Sequence, residues 1–134
     1  MTLDETKRTG FRRPVPYIVL VDDDHQVVDY LKEASEEDGG YTVTATTSGK
    51  DALAIIKERV PDLVILDLNM PEPDGFELLK LARAQFPNLK ILTISGYLHG
   101  PLLKAARMFG AIATLEKPFT PEALMGKVRE ILGP

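Results

Sequence analysis

Acidic, hydroxyl and ammonium side chains follow short apolar runs in this 134-residue sequence. Asp22 and Asp23 follow the run YIVLV, Asp67 follows LVIL, and two later runs lead to Ser95 and Lys117. Carboxylates offer oxygen ligands to hard cations such as Mg²⁺, with Mn²⁺ as a substitute. An ammonium and a hydroxyl group together suit a tetrahedral anion. These residue types therefore predict a site for metal-assisted phosphoryl chemistry.

Asp67 is the predicted nucleophile, because a carboxylate can form a covalent acyl phosphate. Two carboxylates about 4 Å apart repel each other by about 4 kcal/mol at an effective dielectric constant of 20. A cluster of Asp22, Asp23 and Asp67 therefore requires a cation or a proton. Asp24 is predicted instead to cap the helix that follows it.

Composition excludes several other kinds of chemistry. The sequence has no cysteine and two histidines, so disulfides, thiolate catalysis and cysteine-bound zinc are excluded. A formal net charge of −4 disfavours a nucleic-acid surface. The apolar runs are far shorter than the roughly 20 residues that span a bilayer, and the N-terminus lacks a secretory signal. We therefore expect a cytoplasmic protein with a solvated basic tail over residues 1–15.

The remaining residues, 16–134, alternate β-branched apolar runs with amphipathic segments, a pattern that predicts one α/β domain. The predicted architecture is a doubly wound, five-stranded parallel sheet of order 2-1-3-4-5, flanked by five helices as in flavodoxin-like folds. The predicted strands are Tyr17–Val21, Tyr41–Thr46, Leu63–Leu66, Lys90–Ile94 and Ala111–Leu115.

Each predicted helix has its own start signal. The fourth is expected to hold Leu102, Ala105 and Phe109 and to end at Gly110. The start signals are Asp24, the capping-box pair Ser48 and Asp51, Asp74, Pro101, and Thr120 followed by Pro121. In this architecture the first and third strands are neighbours, so Asp22, Asp23 and Asp67 should meet in one crevice beyond the strand ends.

The motifs VLVDDDH, DLVILDLNMPEPDG, LTISG and LEKPF occur in the order and spacing of CheY-like receiver domains of response regulators. From Tyr17 onward the chain resembles this family of two-component signal transduction. The resemblance implies a phosphoacceptor switch, not a turnover enzyme. It implies Mg²⁺-dependent transfer to Asp67 from the phosphohistidine of a histidine kinase or a histidine phosphotransfer protein in a phosphorelay.

The resemblance also implies individual roles. Asp23 resembles the direct metal ligand, Asp22 the acid that acts through a metal-bound water, and Asn69 the residue whose backbone carbonyl binds the metal. Ser95 resembles the hydroxyl that follows the phosphoryl group, and Gly96 the small residue whose amide faces it.

At the end of the fifth strand, Lys117 resembles the lysine that bridges to the phosphoryl group. Pro118 resembles a proline that follows a cis peptide bond. Thr114 departs from the family pattern, which has an aromatic residue there for signal readout. Tyr97 is a candidate to cover the site or to take part in switching. The implied output surface for an unknown downstream protein is the fourth helix, the fifth strand and the fifth helix.

Two other functions remain open from sequence. A phosphatase of the haloacid dehalogenase kind also uses Asp, Ser or Thr, Lys and acidic ligands, although its acid–base Asp would fall at Asn69 and its metal-binding acids would follow the lysine. A pseudo-receiver that only docks partners is disfavoured because every transfer residue is present. The sequence fits a stand-alone receiver or part of a longer regulator or hybrid kinase equally well.

Overall fold

A computed structural model describes residues 15–69, 75–96 and 100–133, in which strands and helices alternate. The strands are β1 (Tyr17–Val21), β2 (Thr42–Thr46), β3 (Leu63–Asp67), β4 (Ile91–Ser95) and β5 (Ala113–Glu116). The helices are α1 (His25–Gly39), α2 (Gly49–Glu58), α3 (Gly75–Gln85), α4 (Gly100–Met108) and α5 (Pro121–Leu132). Among the described residues, no helix has the length and apolar character needed to cross a membrane.

The five strands form one parallel sheet in the order β2-β1-β3-β4-β5, which confirms the predicted fold. β1 and β3 are neighbours, with Val21 opposite Leu66. The next residue of each chain segment is an aspartate, so Asp22 and Asp67 emerge side by side. We call this end of the sheet the carboxyl edge (strand ends at residues 21, 46, 67, 95 and 116) and the opposite end the amino edge (strand starts at residues 17, 42, 63, 91 and 113).

Apolar layers cover both faces of the sheet. β1, β3 and β4 are buried along their whole length, as their continuous apolar sequences predict. α1 and α5 cover one face, where Leu31 and Leu124 pack against Ile65. The other face is covered by α2, α3 and α4 through Ala52, Ile56, Leu78, Leu79, Ala82 and Ala106.

Three of the predicted helix caps are confirmed. Asp24 accepts from the Gln26 amide at 2.9 Å, Ser48 from Asp51 at 3.2 Å, and Thr120 from Ala123 at 3.0 Å. The return half of the capping box is replaced, because the Ser48 amide donates to Thr46 Oγ1 at 3.1 Å. The predicted cap Asp74 lies outside the described residues.

Helix α4 ends at Met108, one residue before Phe109, which the prediction had included in the helix. Phe109 is 45% exposed, whereas Ala106 is fully buried. The Phe109 ring meets Phe76 of α3 edge to face, with 6.0 Å between the ring centroids. Gly110 then ends the helical segment with φ +105, as its position predicted.

β5 begins two residues later than predicted. The Ala111 amide donates to the Ala106 carbonyl at 3.0 Å, so it still belongs to the turn that closes α4. The strand runs from Ala113 to Glu116 and pairs with β4 alone, with Thr114 opposite Thr93. Ala111 and Ile112 are apolar like strand residues, but they belong to the turn before β5.

Candidate phosphoacceptor site

Asp67 is the last residue of β3, and its position is fixed by the sheet. Its Cα pairs with Ile94 of β4, and the next amide, from Leu68, donates to the Ile94 carbonyl at 2.9 Å. Asp22 lies one residue beyond β1, where its amide donates to the Thr46 carbonyl at 3.2 Å. Both carboxylates are therefore held by backbone ladders and not by mobile loops.

The predicted acid cluster forms at the carboxyl edge. Asp22, Asp23 and Asp67 each offer a carboxylate oxygen, and these oxygens lie within 4.8 Å of one another. Asp22 and Asp67 are buried, and Asp23 is exposed. A set of hard oxygen donors open to solvent on one side fits Mg²⁺, which keeps several of its waters. Asp24 is not in the cluster: its carboxylate caps α1, and its amide donates to Asp22 Oδ1 at 3.1 Å.

Lys117 reaches the same cluster from the end of β5. Its Nζ donates to Asp22 Oδ2 at 3.0 Å and lies 3.7 Å from Asp67 Oδ2. Burial lowers the pKa of Lys117, but the hydrogen bond to Asp22 and the charges of Asp22 and Asp67 outweigh it, so the pKa rises overall. Lys117 therefore stays charged and offsets the repulsion between the two buried carboxylates.

The surroundings of Asp67 make its ionisation less favourable in the absence of metal. Burial raises the pKa of Asp67 from 3.8 to about 6; the Asn69 amide, which donates to Asp67 Oδ1 at 2.9 Å, opposes this rise, and the Asp22 charge adds to it. A cation in the cluster would reverse this effect, because it stabilises the ionised carboxylate. Ionisation of Asp67 is thus linked to metal binding.

Ser95 and Gly96 lie at the end of β4 and share one partner. The Ser95 hydroxyl donates to Asn69 Oδ1, and the Gly96 amide donates to the same oxygen at 3.1 Å. The Ser95 carbonyl accepts from the Lys117 amide at 2.7 Å, which joins the β4 and β5 ends. A Cβ on Gly96 would lie 3.7 Å from Lys117 carbons, so another small residue would fit there.

Gly75, at the start of α3, is a supporting residue that sequence reasoning missed. A Cβ at this position would collide with the Asp67 carbonyl oxygen and the Leu68 Cα. Only glycine therefore lets α3 begin against the backbone that carries Asp67, the predicted nucleophile. The motif DLVILDLNMPEPDG ends in this glycine, but the sequence alone does not indicate which backbone atoms the glycine approaches.

The structure places every proposed ligand and anion-binding residue at this one edge. Asp22, Asp23, Asp67 and Lys117 converge, Asn69 lies beside them, and Ser95 and Gly96 complete the rim. The Lys117–Pro118 peptide bond is cis, as the resemblance implied. Thr114 lies partly buried in β5, whereas Tyr97 falls outside the described residues.

Residues 18–129 match the family described as response regulator receiver domain. The chain belongs to this family, and it is a receiver domain of two-component signal transduction. Members of the family act as phosphoacceptor switches, so a haloacid-dehalogenase-like phosphatase is not favoured.

Particular relatives agree with this assignment. The chain is 37% identical over 117 residues to YhcZ of Bacillus subtilis, described as an uncharacterized transcriptional regulatory protein, covering 87% of this chain and 54% of that protein. The chemotaxis protein CheY4 of Vibrio cholerae matches with a TM-score of 0.83 and 29% identity over 89% of this chain and all of that chain.

A CheY-like receiver domain from Methanospirillum hungatei has a TM-score of 0.82 and 30% identity, over 87% of this chain and 93% of that one. The chain spans about half the length of the curated relatives it matches.

Proposed function

We propose that Asp67 is the phosphoacceptor of this receiver and that its donor is the phosphohistidine of a histidine kinase or a histidine phosphotransfer protein. The observation that carries the proposal is the position of the buried Asp67 carboxylate. It lies between two further carboxylates within 4.8 Å and the Lys117 ammonium at 3.7 Å. A phosphoryl group on Asp67 would meet a cation site on one side and a fixed ammonium on the other.

The transfer itself needs positioning and charge stabilisation more than acid–base chemistry. An Asp67 oxygen attacks phosphorus, the P–N bond to the donor imidazole breaks, and the released imidazole nitrogen keeps the electron pair and takes a proton from solvent. Lys117 Nζ would balance charge on the phosphoryl oxygens, and the Ser95 hydroxyl and Gly96 amide would donate to them. The same groups would support phosphorylation by small acyl phosphates and later hydrolysis without a second enzyme.

Mg²⁺, or Mn²⁺ in its place, fits this donor set. Asp23 and Asp67 would bind it through carboxylate oxygens, Asp22 would bind through a water, and Asn69 would offer its backbone carbonyl. When bound, the ion supplies positive charge to the oxygens of the transferring group. Residues 22 and 67 are held by the sheet, so two of the donors are positioned before any ion arrives.

The output of the switch is proposed to pass through α4, β5 and α5 to a downstream protein. Thr114, in place of the family's aromatic residue, lies opposite Thr93 on the edge strand β5, so the readout here would not use a ring at this position. The boundary between a tail over residues 1–15 and the domain, and a cytoplasmic location, stay predictions. Fractionation of the source cells checks the second of these.

The decisive experiment compares wild type with Asp67→Asn after incubation with Mg²⁺ and acetyl phosphate. Intact-mass measurement should show one phosphoryl adduct on wild type that chelation of the metal prevents and that Asp67→Asn lacks. Asp62→Asn is the matched control, because Asp62 is an exposed aspartate at the amino edge, and it should be labelled like wild type. An adduct that persists in Asp67→Asn would contradict the proposal.

A further inference from the structure

The side chain of Asn69 holds together two groups that belong to different parts of the site. Its Oδ1 accepts from the Ser95 hydroxyl and also from the Gly96 amide, at 3.1 Å for the latter. An oxygen that accepts from both of these donors is what a phosphoryl group on Asp67 would supply. Asn69 therefore occupies, within the protein itself, the hydrogen-bonding place of the phosphoryl oxygen.

We propose that Asn69 is a positioning residue whose side-chain amide stands in for the phosphoryl group and holds the end of β4 in its resting position. This inference rests on the proposed function, because it takes Ser95 and Gly96 as the phosphoryl-binding donors. Phosphorylation would then be an exchange of acceptors: the Asn69 oxygen leaves both donors, and a phosphoryl oxygen takes them.

The backbone of Asn69 allows this exchange. Its amide donates to Asp67 Oδ1 at 2.9 Å, independently of the side chain. The side chain can therefore rotate away about its own bonds while the amide and the carbonyl proposed as a metal ligand stay in place. Asn69 is exposed, so the released amide group can hydrogen-bond to water.

The direction of the exchange follows from charge. Asn69 Oδ1 is a neutral acceptor, whereas a phosphoryl oxygen is anionic, and hydrogen bonds to ionised acceptors are roughly twice as strong as those between neutral groups. The phosphoryl group should therefore displace Asn69 Oδ1 from both donors. Because the two hydrogen bonds to Asn69 must first be broken, the affinity of the site for phosphoryl analogues should be lower than in a protein without this amide. The same two hydrogen bonds should keep the unphosphorylated protein in its resting arrangement.

Beryllofluoride, a tetrahedral anion that mimics a phosphoryl group on a carboxylate, is the probe. Its dissociation constant in the presence of Mg²⁺ is measured for wild type, Asn69→Ala and Asn69→Leu, the last of which keeps the side-chain volume without an acceptor. Both variants should bind the probe about five- to tenfold more tightly, because the competing acceptor is gone. Both should also unfold at lower urea concentration without ligand, because each loses two hydrogen bonds.

Tighter binding of the probe together with lower stability distinguishes the proposal from a purely structural role of Asn69. A structural asparagine would lose stability and bind the probe more weakly, so weaker or unchanged binding by both variants overturns the proposal. Asn88→Ala, which alters the chain's other asparagine at an exposed position, is the control and should change neither property.

Two further results keep the inference separate from the proposed function. Failure of wild type itself to bind beryllofluoride with Mg²⁺ would count against the phosphoacceptor site, whereas binding by wild type with no gain in the variants counts against Asn69 alone. A crystal structure of the wild-type complex gives a test that needs no variant. Asn69 Oδ1 should have left Ser95 and Gly96, and its retention on both would overturn the proposal.

Discussion

At the carboxyl edge of the sheet, β1 and β3 lead to two buried carboxylates of like charge, Asp22 and Asp67. At the amino edge, the polar groups near the start of the same strands are already paired by hydrogen bonds. The Tyr17 amide there donates to Asp62 Oδ2 at 2.8 Å, and the Tyr17 hydroxyl donates to Thr44 at 2.9 Å. Nearby, Arg83 donates to the carbonyls of Pro87 at 2.6 Å and Gly110 at 2.7 Å.

The difference indicates which edge could support chemistry. At the amino edge, the Tyr17 donors and the terminal nitrogens of Arg83 meet acceptors that are part of the fold. The groove of about 650 Å³ there is lined largely by apolar side chains, such as Pro61, Phe86 and Leu132. At the carboxyl edge, carboxylates are collected with one ammonium, an arrangement that a cation or a phosphoryl group would complete. Changes at the amino edge should therefore affect stability alone, whereas changes at the carboxyl edge should affect phosphorylation and can even raise stability.

Gly75→Ala should have the largest effect, since it forces backbone at the carboxyl edge to move. The added methyl group meets the Asp67 carbonyl and the Leu68 Cα, neither of which can rotate away as a side chain would. We expect a loss of about 3 kcal/mol or more in the free energy of unfolding. Displacement of Asp67 should also lower its phosphorylation rate by at least about tenfold. Urea unfolding and intact mass measure the two.

Gly126→Ala is the matched control for that substitution. Gly126 lies within α5, and a Cβ there would meet open space. Replacing a glycine inside a helix by alanine should stabilise the protein by about 0.5–1 kcal/mol. Similar effects of the two substitutions would mean that the approach of α3 to Asp67 is not the constraint described above.

Asp67→Asn should raise stability in the absence of metal, and by an amount that depends on pH. The rise in the Asp67 pKa from 3.8 to about 6 means that the folded state binds this proton more tightly than the unfolded state. In wild type the ionised Asp67 therefore lowers stability as pH rises from about 4 to 6, by up to roughly 3 kcal/mol. The variant, which cannot ionise, should escape this loss.

We therefore expect Asp67→Asn to be about 2 kcal/mol more stable than wild type at pH 8 with a chelator and about equally stable near pH 4. Saturating Mg²⁺ should reduce the difference at pH 8, because wild type has one more carboxylate ligand and is stabilised more. Urea unfolding at the two pH values measures both effects. Asp62→Asn, at the amino edge, should gain no stability at either pH, and an equal gain there would remove the contrast between the edges.

Arg83→Ala should have the smallest of these effects and leave phosphorylation unchanged. It removes hydrogen bonds to the Pro87 carbonyl just after α3 and to the Gly110 carbonyl in the turn after α4. We expect a loss of about 1.5 kcal/mol in unfolding free energy. The rate of labelling by acetyl phosphate should stay within about twofold of wild type. The exposed Arg107→Ala serves as control, and a marked loss of labelling in Arg83→Ala alone would show that the two edges are coupled.

The fold and the convergence of acids could be predicted from the sequence because both depend on patterns that repeat along the chain. Continuous apolar runs identified the buried strands, and the ends of those runs placed Asp22 and Asp67 at one edge. The start of β5 was placed too early because Ala111 and Ile112 are as apolar as strand residues, while the turn after α4 uses the Ala111 amide.

The roles of Asn69 and Gly75 could not be predicted in the same way. The acceptor role of Asn69 depends on the path of the chain after β3 and on where Ser95 and Gly96 end β4, which no local pattern specifies. The need for glycine at position 75 depends on a close approach between α3 and the backbone of Asp67. The same holds for Phe109 at the surface, because its helical spacing does not predict its edge-to-face contact with Phe76.

The place of Asp67 at the end of β3, between two leucines of the core, also limits how such a switch can be redesigned or can diverge. Leu66 and Leu68 both pack into the layer beneath α2 and α3, and the carboxylate between them points the other way. Side chains alternate along a strand, so inserting or deleting a single residue in β3 would send the carboxylate into hydrocarbon and a leucine into the crevice. Evolution of this segment can therefore proceed by substitution, but not by insertion or deletion of a single residue.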